Sequence, residues 1–188
     1  MPDHLPDRQR AWELLTEYTE KDGLRKHALA VEAAMREYAR HYGEDEERWA
    51  ITGLLHDFDY ERWPDPEDHP YRGVEILERH GYPEDVRTAI LGHAAYTGVP
   101  RETLMAKSLY AVDELAGFVV AVALVKPGRS LAEVDVRSVV KKLKDKAFAR
   151  GVHREEVTAG AEELGVDFEE HVERVIAGLR RASDELGL

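Results

Sequence analysis

The 188-residue chain contains no cysteine. That absence removes a disulfide framework, a thiolate zinc site and a thiol nucleophile together. Any metal bound here must be held by His, Asp and Glu, donors that suit a hard or borderline cation. Basic residues are outnumbered: 26 Lys and Arg stand against 38 Asp and Glu, for a formal net charge of −12. A general nucleic-acid coat or a binder of anionic membranes needs a basic face, so neither is expected; a small phosphorylated substrate needs only a local positive cluster or a metal. The opening Met1-Pro2-Asp3-His4 lacks the basic and apolar regions of a signal peptide. The longest apolar run, Leu115 to Val125, is too short to span a bilayer. The expectation is a cytoplasmic protein, monomer or homodimer, without membrane contact.

Period-two alternation, internal repeats and linker-like composition shifts are missing too, which leaves no credible sheet and no obvious domain boundary. What remains is helical periodicity. The pattern predicts helices over Pro6 to Glu20 and over Asp22, as N-cap, to about His41 with Gly43 as the stop. A third, Glu44 to Leu55, runs into His56-Asp57. Further helices are expected over Tyr71 to His80, from Pro83 to near His93, and from Pro100 to before Pro127-Gly128. Val134 to Ala149, His153 to Leu164 and Asp167 to Leu186 complete the set. Phe58 to Pro70 carries Pro64, Pro66 and Pro70 and is expected to be a loop of functional length. The fold class is all-α: a single-domain helical bundle.

Nine histidines are present, and their placement matters more than their number. His27 falls on the stripe Leu24, Ala28, Val31 and Tyr38. His56 ends an apolar helix beside Asp57, and His93 continues the line Val86, Ile90. Asp113 lies in line with Leu109, Ala116 and Val120, the apolar face of the longest helix. A single buried histidine is ordinarily a hydrogen-bonded core residue. A buried carboxylate demands a partner. For Asp113 two remain open: a cation shared with converging His and Asp ligands, or a salt bridge to Arg or Lys.

The ordered set His27, His56-Asp57, Asp113 resembles the H…HD…D signature of the HD-domain superfamily of metal-dependent phosphohydrolases. The resemblance covers roughly Asp22 to Gly117. It implies an HD domain over residues 1–188, with a metal-binding core at about 22–125 and a helical extension at about 130–188 packed on it. His69 and His93 fall where members with a binuclear centre place extra ligands. The resemblance therefore implies the set His27, His56, Asp57, His69, His93 and Asp113, with Asp57 bridging, around one or two divalent ions (Mn, Fe, Mg, Zn, Ni or Co). The doublet is followed by Phe58-Asp59 rather than the Ile-Gly of the HDIG subgroup. Gly81-Tyr82-Pro83 stands at a helix junction and is read as a turn, not as a cyclic-dinucleotide signature.

The implied reaction is hydrolysis of a phosphate ester, of a nucleotide or small phosphorylated metabolite, by a metal-activated water. Asp57 is expected to assist that water, and His69 or His93 to protonate the leaving oxygen. Asp59 and Glu61 are read either as groups orienting ligand imidazoles or as solvated loop acids. Glu114 is read as a supporting or surface group. The basic run Lys141 to Lys146 defaults to a solvated face, but Arg129, Lys142 and Lys146 are the expected holders of substrate phosphate. Tyr60 and Trp63 either stack on a base or cover the core. Two other readings accompany the resemblance: a di-iron oxygenase on the same fold, and a non-catalytic ligand-binding module.

Overall fold

The computed structural model describes residues 5–188, so the Met1–His4 stretch lies outside the described residues. Among them, ten α-helices and two short 3-10 turns account for all regular structure, with no strand. They are α1 (Arg8–Tyr18), α2 (Asp22–Tyr42), α3 (Glu46–Leu55), α4 (Tyr71–Arg79), α5 (Glu84–His93), α6 (Leu104–Leu124), α7 (Val136–Leu143), α8 (Arg154–Leu164), α9 (Phe168–Arg181) and α10 (Ser183–Leu186). The all-α expectation is met. Among the described residues no helix is long and apolar enough to cross a membrane.

Local chemistry explains the helix ends. Asp7, Asp45, Thr103, Asp135 and Asp167 each accept hydrogen bonds from first-turn amides, satisfying donors the helix cannot. Gly43 closes α2 with φ 71°, a left-handed conformation that costs glycine little. Asp22 is not the cap of α2 but its first residue. The amides of Glu20 and Lys21 are instead taken by the Glu61 carboxylate, at 2.8 and 3.1 Å, from a distant loop. Likewise α6 begins at Leu104 behind the Thr103 cap rather than at Pro100.

The largest departure is the basic helix expected to reach Ala149: α7 stops at Leu143. Beyond it Asp145 accepts from the Ala147 amide at 3.0 Å, and Ala149 adopts φ 44°. The Arg154 guanidinium collects the carbonyls of Leu143, Asp145, Phe148 and Ala149, which replaces the helical acceptor pattern with a turn.

One hydrophobic cluster runs through every helix, from Ala11 to Leu186. Helices α2 and α6 form its centre: α3 and α9 pack on α2, while α5 and α8 pack on α6. The α8–α6 contact depends on Gly160, where a methyl group would lie 2.5 Å from Ala111 Cα, closer than two carbons can approach.

Candidate metal centre

The six side chains expected to act together come from four helices or helix ends and the segment between α3 and α4. His27 projects from α2 and Asp113 from α6. His56 follows the last residue of α3, and His93 is the last residue of α5. Asp57 and His69 belong to the turns between α3 and α4. That segment is tied down: the Thr19 hydroxyl donates to the Phe58 carbonyl at 2.9 Å, and Phe58 is fully buried.

These residues meet in one cluster. His27 Nε2 lies 2.9 Å from Asp113 Oδ1 and 3.2 Å from His56 Nε2, and His56 Nε2 lies 3.2 Å from the same Asp113 oxygen. Asp57 faces both ways. Its Oδ2 is 3.4 Å from His56 Nε2 and 4.0 Å from His27 Nε2, whereas its Oδ1 is 3.2 Å from His69 Nε2 and 3.1 Å from His93 Nε2. Neighbouring ligands at right angles around an ion bound at about 2.1 Å stand about 3.0 Å apart, so the spacing fits a metal. Three of the groupings able to hold an ion are His27–His56–Asp57, His56–His93–Asp113 and Asp57–His69–His93.

The imidazoles are also aimed. His56 Nδ1–H donates to the Gly53 carbonyl at 2.7 Å, and His93 Nδ1–H donates to the Ile90 carbonyl at 2.5 Å. Both acceptors are carbonyls in the last turn of a helix, three residues back, where the regular acceptor pattern runs out. His69 Nδ1–H donates to Asp59 Oδ1 at 2.8 Å, and the other oxygen of Asp59 accepts the Gly73 amide at 2.9 Å. Asp59 is 1% exposed, so it is an orienting group and not a solvated loop acid. A side chain at Gly73 would collide with it, its Cβ 2.7 Å from the carboxyl carbon. Glu61 does something else, capping the α2 end as described above.

Electrostatics match this geometry. Burial opposes charge on His56, yet Asp57 and Asp113 hold its pKa well above the ordinary imidazole range. Burial likewise opposes charge on His69, but Asp57 and Asp59 raise it to about 9. Despite the desolvation of their carboxylates, Asp57 and Asp113 are held far below the usual range, chiefly by His56. Without an ion, these shifts favour protonated imidazoles beside ionised carboxylates. A divalent cation placed between these groups competes with those protons.

The cluster opens into a cleft of about 440 Å³. Its lining adds residues that helical periodicity did not single out: Tyr96, whose hydroxyl donates to the His69 carbonyl at 2.9 Å, and the group Glu114, His153 and Glu156. Glu114 Oε2 accepts the His153 amide and its Oε1 meets His153 Nδ1, both at 3.1 Å. Burial and the neighbouring Asp113 raise the Glu114 pKa. The only available sequence signal was the adjacency of Glu114 to Asp113; His153 and Glu156 reach the cleft through the unforeseen turn after α7.

Arg129, Lys142 and Lys146, the expected phosphate holders, are not among the residues lining the cleft. The Lys142 ammonium sits 4.6 Å from the centre of the Phe148 ring, and Arg129 and Lys146 are exposed. The helix that was to carry Lys146 inward ends at Leu143, so that residue lies in the following turn. Tyr60 borders the cleft, its ring edge-to-face with His69, while Trp63 packs on the core beside Tyr18. A larger groove of about 690 Å³ elsewhere is bordered by the Arg48–Asp85 ion pair and contains no group of metal-ligating side chains among the described residues.

Neither the curated proteins nor the solved structures compared with the chain give a match. The model of the HD domain family matches residues 24–117, from the start of α2 to the turn of α6 beyond Asp113. That stretch is half of the chain and contains every residue of the His–Asp cluster, and so the protein belongs to the HD domain family, whose members are mostly metal-dependent phosphohydrolases.

Proposed function

We propose that this protein hydrolyses a phosphate ester, of a nucleotide or similarly small phosphorylated metabolite, with His27, His56, Asp57, His69, His93 and Asp113 as metal ligands. The observation that carries this reading is the division of Asp57, with one oxygen turned to His56 and His27 and the other to His69 and His93. A carboxylate divided in this way suits two cations, one shared with Asp113, His27 and His56, the other with His69 and His93. Divalent ions held there would lower the pKa of a water and polarise a phosphoryl oxygen.

The chain's own contribution is orientation. The Gly53 and Ile90 carbonyls and the Asp59 carboxylate hold three imidazoles by Nδ1, leaving Nε2 directed inward. Both ring nitrogens of His69 and His93 are thus engaged, so we assign these residues to metal ligation rather than to protonation of the leaving oxygen. Asp57 stays ionised through the neutral range, as a carboxylate shared between two cations must be.

The test is metal analysis of protein purified without added metal, paired with a screen of nucleotides and phosphomonoesters with oxygen uptake monitored. Bound divalent metal and hydrolysis without oxygen uptake are expected. Retention of metal and activity by both Asp57→Ala and Asp113→Ala would overturn the reading, and oxygen-dependent turnover would replace hydrolysis with oxygenation.

A further inference from the structure

The cleft has an unusual charge for a phosphate site. Four carboxylates line it, those of Asp57, Asp113, Glu114 and Glu156, and among the described residues no Lys or Arg does. Two arginines that adjoin it in sequence or space, Arg101 and Arg154, have other partners. Arg101 reaches the Gly92 carbonyl beside His93, but its guanidinium is paired with Glu163 at 2.6 and 2.8 Å and lies over the Tyr110 ring. Arg154, next to His153, is consumed by the carbonyls of the turn after α7. Arg150 precedes Gly151, yet only Gly151 of that pair borders the cleft.

Two of the four carboxylates, Asp57 and Asp113, belong to the proposed ligand cluster, where a bound cation would neutralise them. Glu114 and Glu156 are not part of it. With His153 they bring potential ligand atoms within 4.8 Å of one another on the more exposed part of the lining, where His153 is 72% exposed. The Glu114 carboxylate is already shared with His153, and the pair of glutamates remains net acidic whether or not that imidazole is protonated.

We infer that the substrate carries its negative charge only on the phosphoryl group at the metal cluster, and that the remainder of the molecule is neutral or cationic. This rests on the phosphohydrolase reading above and narrows it. A second phosphate, or a carboxylate on the leaving group, would enter a space bordered by two glutamates with no cation to receive it, and like charges brought together cost affinity. Hydroxyl or ammonium groups find carboxylate acceptors there instead. The rim aromatics Tyr60 and Tyr96 add contact area without charge. The class selected is the phosphomonoester of an alcohol, amino alcohol or nucleoside. Nucleoside di- and triphosphates and phosphorylated carboxylic acids are rejected.

Phosphoethanolamine, glycerol phosphate and phosphoglycerate are similar in size and differ in the charge of the remainder: positive, none and negative. Their binding to the metal-loaded protein is measured by calorimetry. Phosphoethanolamine and glycerol phosphate are expected to bind at least ~10-fold more tightly than phosphoglycerate, and Glu114→Gln/Glu156→Gln to reduce that ratio to under ~3-fold. Glu156→Gln alone leaves the Glu114–His153 contact intact and is expected to move the ratio part of the way. Equal or tighter binding of phosphoglycerate, an unchanged ratio in the double variant, or no binding of any of the three overturns the inference. Turnover is scored separately: if no phosphomonoester is hydrolysed, the phosphohydrolase reading falls while the order of binding still decides the charge rule.

Discussion

The two parts of the cleft are built in opposite ways. On the His–Asp part, His56 is fully buried, Asp59 is 1% exposed, and three imidazoles are each fixed by a second partner. On the Glu114–His153–Glu156 part, His153 is 72% exposed and is positioned by a turn that Arg154 holds together. Buried polar groups must be matched, so the packing of α2, α3, α5 and α6 dictates where the His and Asp side chains stand. Solvated groups carry no such obligation, and the outer lining can change without disturbing the core. The contrast is one of constraint: the His–Asp part is fixed by the core, whereas the outer part is fixed by a surface turn.

The sharpest way to break that contrast is at Asp57. Asp57→Ala removes the carboxylate whose two oxygens face different groupings, and metal content and activity are expected to fall by more than the ~100-fold upper end for losing a supporting residue. Metal analysis and initial rates measure it. Asp59→Asn tests one step outward. His69 would lose its ionised anchor, and metal affinity is expected to drop about 10- to 100-fold while the other ligands stay in place. An unchanged affinity would mean that His69 needs no orienting partner.

The pH dependence comes next. Raised pKa values on His56 and His69 mean that the metal-free cluster holds protons at neutral pH, so metal binding should release protons and tighten as pH rises toward 9. In the metal-free protein His69 contributes stability that is present below its ordinary 6.5 and lost as pH rises through about 9. Asp57 and Asp113, held low, contribute stability present above the ordinary 3.8 and lost as pH falls below it. Thermal melts of the metal-free form should therefore peak between these limits, and saturation with metal should remove the alkaline decline. A metal-free melting temperature that stays level from pH 6.5 to 9 would contradict the proton-filled cluster.

The smallest effect belongs to the outer part. His153→Ala is expected to leave metal content unchanged and to shift Tm by no more than ~2 °C, as exposed substitutions usually do. A loss of metal from this variant would erase the distinction between the two parts.

Much of this was legible in advance, for physical reasons. Apolar periodicity placed His27, His93 and Asp113 on inward faces, and the resemblance joined them to His56, Asp57 and His69; all six meet in the structure. Asp59 was suspected from its position beside the doublet, but nothing local distinguished it from Glu61, which caps a helix. The lysines misled because a charge run says nothing about where its helix ends. Asp145, Ala149 and Arg154 decided that through side-chain and backbone contacts invisible to periodicity.

By itself the sequence determined the helical class, the absence of thiolate chemistry and the inward placement of His27, His93 and Asp113, because burial of an apolar stripe dictates which way each helix turns. Only the tertiary structure decided that Asp57 divides its oxygens between two groupings, that helix-end carbonyls and Asp59 aim the imidazoles, and that Glu114, His153 and Glu156 border the same cleft. Those are distances between segments far apart in the chain, and they are set by how helices pack rather than by the residues along any one of them.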